Sequence, residues 1–203
     1  MLSRSEGETA VRLARRAIQE CLGNKIKIKP DNLPPVFREK RGVFVTMNKT
    51  PELIQGTKEL RGCIGRPYPV MPLGEAIIAS AANAALEDPR FDPVKKEELN
   101  DIVIEVTVLT VPKPIKAKPG DIPEKILVGR DGLIVATDRS QGLLLPQVAV
   151  EHGFDAVEFL CQTCRKAGFM RDAWLTGAKV YSFEGQIFEE LEPGGEIREK
   201  LLT

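Results

Sequence analysis

Between Pro72 and Pro89 lies a run, Leu73 to Glu87, with alanine at positions 76, 79, 81, 82, 84 and 85. Its spacing predicts a helix with small residues around its whole circumference. Such a helix packs closely against a sheet rather than riding on a surface. Asp88 precedes Pro89, which biases it away from helical backbone, so Asp88-Pro89-Arg90-Phe91-Asp92-Pro93 reads as a rigid turn.

The flanking sequence supplies the sheet. Val43 to Met47 and the stretch around Cys63 read as strands, close enough in sequence to pair antiparallel across a loop holding Pro51 and Gly56. Asp101 to Val111 is a longer strand with one fully apolar face and one mixed face. Ahead of these, Ser5-x-x-Glu8 resembles a capping box opening an amphipathic helix that ends at Gly23-Asn24. A short strand is expected over 25–29. Later, Asp131-Gly132 and Glu184-Gly185 read as hairpin turns. Asp155-x-x-Glu158 opens a helix that stops at Gly168, and the tail from Pro193 is expected to fray. Hairpins mixed with a few helices predict an α+β fold, an antiparallel sheet with flanking helices.

Composition narrows the function classes. Across 203 residues, 29 lysines and arginines balance 29 aspartates and glutamates. That balance argues against a nucleic-acid coat. Basic residues crowd the first part of the chain and acidic ones the end, which reads as segments that lie together or are solvated. No stretch approaches the roughly 18 consecutive apolar residues of a membrane span, and no apolar signal region follows Met1. The four cysteines form no dense disulfide framework. A cytoplasmic protein with reduced thiols is expected. No phosphate-binding glycine loop or dinucleotide fingerprint occurs, so no cofactor is expected.

The candidate chemistry gathers at Glu59-Leu60-Arg61-Gly62-Cys63-Ile64-Gly65. Strand alternation puts Arg61 and Cys63 on one face and Leu60, Gly62 and Ile64 on the other. A guanidinium two residues away is expected to lower the thiol's pKa. Gly62 and Gly65 leave room for a ligand or another backbone to approach. The competing reading is a small packed cysteine between glycines that mark a bulge. His152, the one histidine, reaches Cys63 only if tertiary folding brings it there. Cys161-x-x-Cys164 lies on the apolar stripe of its helix and reads as core. With no second pair to complete a zinc site, no metal is expected. Gln147, where Leu145-Pro146-Gln147 ends a strand, presents an amide for a polar ligand or a loop tie. Arg90 is placed to clamp an anion, or else to pair with Asp88 or Asp92.

Gly42-Val-Phe-Val-Thr46, Leu60-Arg-Gly-Cys-Ile-Gly65, Pro72-Leu73, Asp88-Pro-Arg-Phe91, Glu105-Val106, Gly142-Leu-Leu-Leu-Pro-Gln-Val148 and Lys166-Ala-Gly168 together resemble the AMMECR family. Phe154 departs from that pattern, which leads one to expect tryptophan. The resemblance implies two parts: a small inserted β-β-α module over 42–92, and a larger antiparallel α+β domain from 1–41 and 93–203. It also implies an association with Memo-type proteins and radical-SAM enzymes, without a settled reaction. Two functions stay open. One is a cleft that binds or modifies a small or anionic substrate, with Cys63 as nucleophile or thiol carrier and Arg61 holding an anionic group. There Gln147 and His152 form the opposite wall. The other is a non-catalytic adaptor for a protein or RNA partner.

Overall fold

The protein is α+β, and every described strand pair is antiparallel. A computed structural model describes residues 1–23, 29–49 and 58–200. The elements are α1 (Arg4–Gly23), β1 (Val43–Lys49), β2 (Glu59–Arg66), α2 (Leu73–Leu86), β3 (Ile102–Leu109), β4 (Lys113–Pro114), β5 (Asp131–Ala136), β6 (Gln141–Leu144), α3 (Pro146–Glu151), α4 (Ala156–Lys166), β7 (Lys179–Glu190) and β8 (Ile197–Lys200). Most of the strand expected over 25–29 and the loop of Pro51 and Gly56 lie outside the described residues.

The chain divides into two compact units, Met1–Leu109 with Gln186–Leu201, and Thr110–Gly185. Segment 42–92 belongs to the first unit, together with α1 and β3. In that unit the strands run β2-β1-β3, β3 neighbours β7, and the end of β7 pairs with β8. Val43, Val45 and Met47 of β1 stand opposite Val108, Val106 and Ile104 of β3. These residues face α1 and the alanine-rich α2 in one core. The small side chains of α2 are buried, as a helix seated tightly on a sheet requires.

α1 is closed at its start by Ser3 and Glu6, two residues upstream of the expected pair. The Ser3 N–H donates to Glu6 Oε2 at 2.7 Å, and the Glu6 N–H to Ser3 Oγ at 3.3 Å. Arg15 carries part of the early basic cluster to the late acidic one. Its Nη2 meets Glu190 Oε2 at 2.5 Å and the Ile102 carbonyl at 2.6 Å, while Glu190 also accepts the Ile104 N–H.

In the second unit, β5 pairs with β6 and with the first part of β7, which also pairs with β4. α4 lays Phe159, Leu160 and Cys164 into a core with Leu133, Val135, Trp174 and Val180. Its N-cap is Asp155, which accepts the Glu158 N–H at 2.7 Å, and Gly168 follows its end with φ +79°.

Both expected hairpins are corrected. Asp131 and Gly132 lie inside β5; the turn comes earlier, where the Asp131 carboxylate accepts the Leu127 N–H at 2.8 Å. Glu184 and Gly185 lie inside the continuous strand β7. Thr110 keeps the chain extended there, donating its N–H to the Glu184 carbonyl and accepting the Glu184 N–H on Oγ1, both at 2.9 Å. The expected frayed tail instead supplies β8, paired with β7 from Ile187↔Lys200 to Glu190↔Ile197. Replacing Arg15 with alanine would leave the Glu190 carboxylate, 2% exposed, without its cation. The expected loss is about 3–5 kcal/mol of stability, read by urea denaturation.

Candidate functional site

Cross-strand register decides which residues share a face. Cys63 of β2 stands opposite Thr46 of β1, and Thr46 opposite Glu105 of β3. These three side chains form a row on the face away from the α1–α2 core, between the rows Gly65–Phe44–Thr107 and Leu60–Asn48–Val103. The Thr46 hydroxyl donates to Cys63 Sγ at 3.3 Å. Lys200 Nζ of β8 meets the buried Glu105 carboxylate at 3.2 Å.

This face is curled. In a flat sheet β2 and β7 stand three intervals of about 4.8 Å apart, roughly 14 Å, beyond a lysine's reach. Yet Lys58, just before β2, meets Glu189 of β7 at 2.5 Å. Arg198 of β8 meets the same carboxylate at 2.7 Å. The Glu189 side chain is 2% exposed. Burial opposes its ionisation, but Lys58 and Arg198 outweigh that and hold it below the ordinary carboxylate range.

Arg61 does not lie beside the thiol. The register steps from Met47↔Gly62 to Asn48↔Leu60, which leaves Arg61 unpaired in a bulge. Strict alternation fails there. The guanidinium turns to Glu98, donating from Nε at 2.9 Å and Nη2 at 3.0 Å, and to the Asp92 carbonyl at 3.0 Å. Lys49 joins Glu98 at 2.8 Å. Arg61 thus holds a carboxylate of its own chain. The Arg61 hydrogen bond is the main reason the Glu98 carboxyl lies far below its usual range.

The Cys63 backbone is clamped on the open edge of β2. The Asp88 carboxylate accepts the Cys63 N–H at 2.8 Å and two hydrogen bonds from the Arg90 guanidinium, at 2.9 and 2.7 Å. Arg90 Nη2 then donates to the Cys63 carbonyl at 3.2 Å. The rigid turn after α2 thereby covers a strand edge at its most chemically interesting residue. Phe91 lies between Arg61 and Arg90, with ring centroid distances of 5.8 and 5.5 Å.

The thiol is shifted opposite to the expectation. Burial pushes Cys63 up, and Asp88 and Glu105 add to this; the Thr46 hydrogen bond and Arg90 counter only part of it. Both glycines are filled from within. A Cβ on Gly62 would lie 2.4 Å from the Ala84 carbonyl oxygen, and one on Gly65 would lie 2.2 Å from the Phe44 ring. Another backbone approaches at Gly62, and an aromatic ring at Gly65.

His152 and Gln147 belong to the second unit. His152 caps α3, is exposed, and stacks on Phe154 with centroids 5.3 Å apart. Gln147 sits in the first turn of α3 rather than on a strand, and its buried Oε1 has no partner among the described residues. Cys161 and Cys164 are buried on α4. Among the described residues no cluster of His, Cys, Asp or Glu could hold a metal ion. Nor is any described helix long and apolar enough to cross a membrane.

The AMMECR1 family model matches residues 11–188. The chain belongs to the AMMECR1 family. A protein of Methanosarcina acetivorans is 52% identical over 98% of this chain and 99% of its own, and one of Methanocaldococcus jannaschii is 52% identical over 100% and 98%. The crystal structure of PH0010 from Pyrococcus horikoshii, described as uncharacterized, superposes with a TM-score of 0.88. It shares 51% identity, with 99% of each chain covered.

Sequence reasoning singled out Cys63 and Arg90, with Asp88 as the latter's partner, and missed Thr46 and Glu105. Thr46 and Glu105 become its neighbours only through register, and Asp88 only through the fold of its turn. Gly62→Ala drives a methyl into the α2 backbone and is expected to lower stability by about 1–3 kcal/mol. Gly23→Ala, with nothing within 4 Å, leaves stability unchanged to within about 0.5 kcal/mol by the same denaturation measurement. Asp88 is held below its usual range chiefly by the Arg90 hydrogen bond. A lowered carboxyl pKa stabilises the fold above the ordinary value of about 3.9, and that contribution disappears as pH falls toward the lowered value. Asp88→Asn is therefore expected to lower the melting temperature at pH 7 and to flatten its fall below about pH 4.

Proposed function

We propose that the protein binds or modifies a small polar or anionic molecule at the curled face around Cys63, with that thiol as contact or nucleophile. The observation that supports this best is the row Cys63–Thr46–Glu105. A half-buried thiol there receives a hydroxyl hydrogen bond beside a buried carboxylate, while Asp88 and Arg90 hold its backbone still. The resting thiol is protonated at neutral pH, because burial outweighs its cationic neighbour. To act as a nucleophile it must first give its proton to a base, and Glu105, cross-strand from Thr46, is the carboxylate this face offers. Arg61 acts here as a positioning residue through Glu98. In this reading the protein works in the cytoplasm with reduced thiols. The family resemblance points to Memo-type and radical-SAM proteins as the place to seek the substrate's supplier or consumer.

The adaptor reading draws on the raised thiol pKa, which suits a packing residue. Two measurements separate the readings. Native alkylation with iodoacetamide is expected to modify Cys63 faster than the buried Cys161 and Cys164. Its rate should keep rising above pH 8.5, where an ordinary thiol levels off. Mass spectrometry should find a small molecule with the wild type that Cys63→Ser no longer retains. If Cys63 resists alkylation and Cys63→Ala only loosens the fold, the site reading is abandoned.

A further inference from the structure

The charges that surround the Cys63 face come from two places in the chain, and their sum depends on β8. Glu105 and Glu189 are buried carboxylates on this face. Among the described residues before β7, Lys58 is the cation that meets Glu189. Those three groups alone sum to −1. β8 adds Arg198 on Glu189 and Lys200 on Glu105, which changes the sum to +1.

The exposure of the five groups is uneven. The carboxylate side chains are 2% and 12% exposed, whereas Lys58, Lys200 and Arg198 are 33%, 42% and 58% exposed. The acids are therefore enclosed, with both oxygens of Glu189 engaged and Glu105 paired with Lys200. The cations keep hydrogen-bond donors free on the open side: each lysine has three donors, and Arg198 spends only Nε and Nη2 on Glu189. A ligand approaching this face meets donors rather than acceptors.

We infer that β8 completes the Cys63 site and makes it selective for ligands bearing an acid group, carboxylate or phosphate, which Lys200 and Arg198 receive. This rests on the reading of Cys63 as the site and adds the ligand's charge class and the strand that reads it. Without β8 the same face would present two buried carboxylates against one lysine and would repel an anion. The partially buried setting screens these charges less than bulk water does.

The test compares two alkylating reagents of similar size, iodoacetate and iodoacetamide, by their rate ratio at Cys63. Wild type is expected to favour the anionic reagent at least as strongly as glutathione does in the same buffer. The Lys200→Gln/Arg198→Gln double variant should lower that ratio about three- to tenfold, and Lys200→Arg alone should preserve it. Adding Glu105→Gln to the double variant should restore part of it. An unchanged ratio in a double variant with wild-type circular dichroism overturns the inference. A second measurement is the melting temperature with inorganic phosphate against chloride at equal ionic strength. Phosphate should raise it in wild type and not in the double variant, and no rise in wild type also overturns the inference. Failure of the site reading looks different: neither reagent labels Cys63, while the phosphate response remains and depends on β8.

Discussion

One carboxylate holds the neighbourhood of Cys63 together. Asp88 leaves α2 on a proline-stiffened turn, accepts the Cys63 N–H, and engages Arg90, which returns to the Cys63 carbonyl. An edge strand normally exposes such groups to any passing chain. Here the protein's own side chains occupy them. The same turn carries Phe91, against which both Arg61 and Arg90 lie. The position of the thiol therefore depends on helix α2, and α2 depends on small residues that let it sit close to the sheet.

That dependence explains the two glycines. At Gly62 the helix carbonyl of Ala84 comes so near that no side chain fits, and at Gly65 the Phe44 ring fills the space. The run Leu60–Gly65 is thus a packing motif as much as a chemical one. Its glycines let a helix and an aromatic ring close on the strand that presents Cys63.

Much of the fold was legible in the sequence because periodicity reports burial. The alanine-rich helix, β1, β3 and the Asp155-capped helix lie where their patterns place them. Turn chemistry misled where a local signal met a longer-range partner. Asp131 uses its carboxylate to close the preceding turn, and Glu184-Gly185 is kept extended by Thr110, whose distance in sequence hides the contact. At the site, alternation correctly set Cys63 apart from Gly62 and Ile64. It failed at Arg61 because a bulge is a property of two strands and cannot be read from one. The sign of the thiol shift failed for the same reason: Arg61 is spent on Glu98, and burial decides instead.

The boundary inside β7 has a consequence for the order in which the protein is built. Residues 1–109 contain α1, α2 and three strands, yet their unit also needs residues from 186 onward. Gln186 binds both the N–H and the carbonyl of Leu2, and Phe188 seats its ring against Gly7. On a ribosome all of Thr110–Gly185 emerges before those partners do. The second unit has its own chain complete while the first still lacks the end of β7 and all of β8, so the earlier-made segment finishes folding last. During that interval the apolar face of α1 that Phe188 later covers stays open. A chaperone that holds such faces would act on the first half of the chain while the second is already closed.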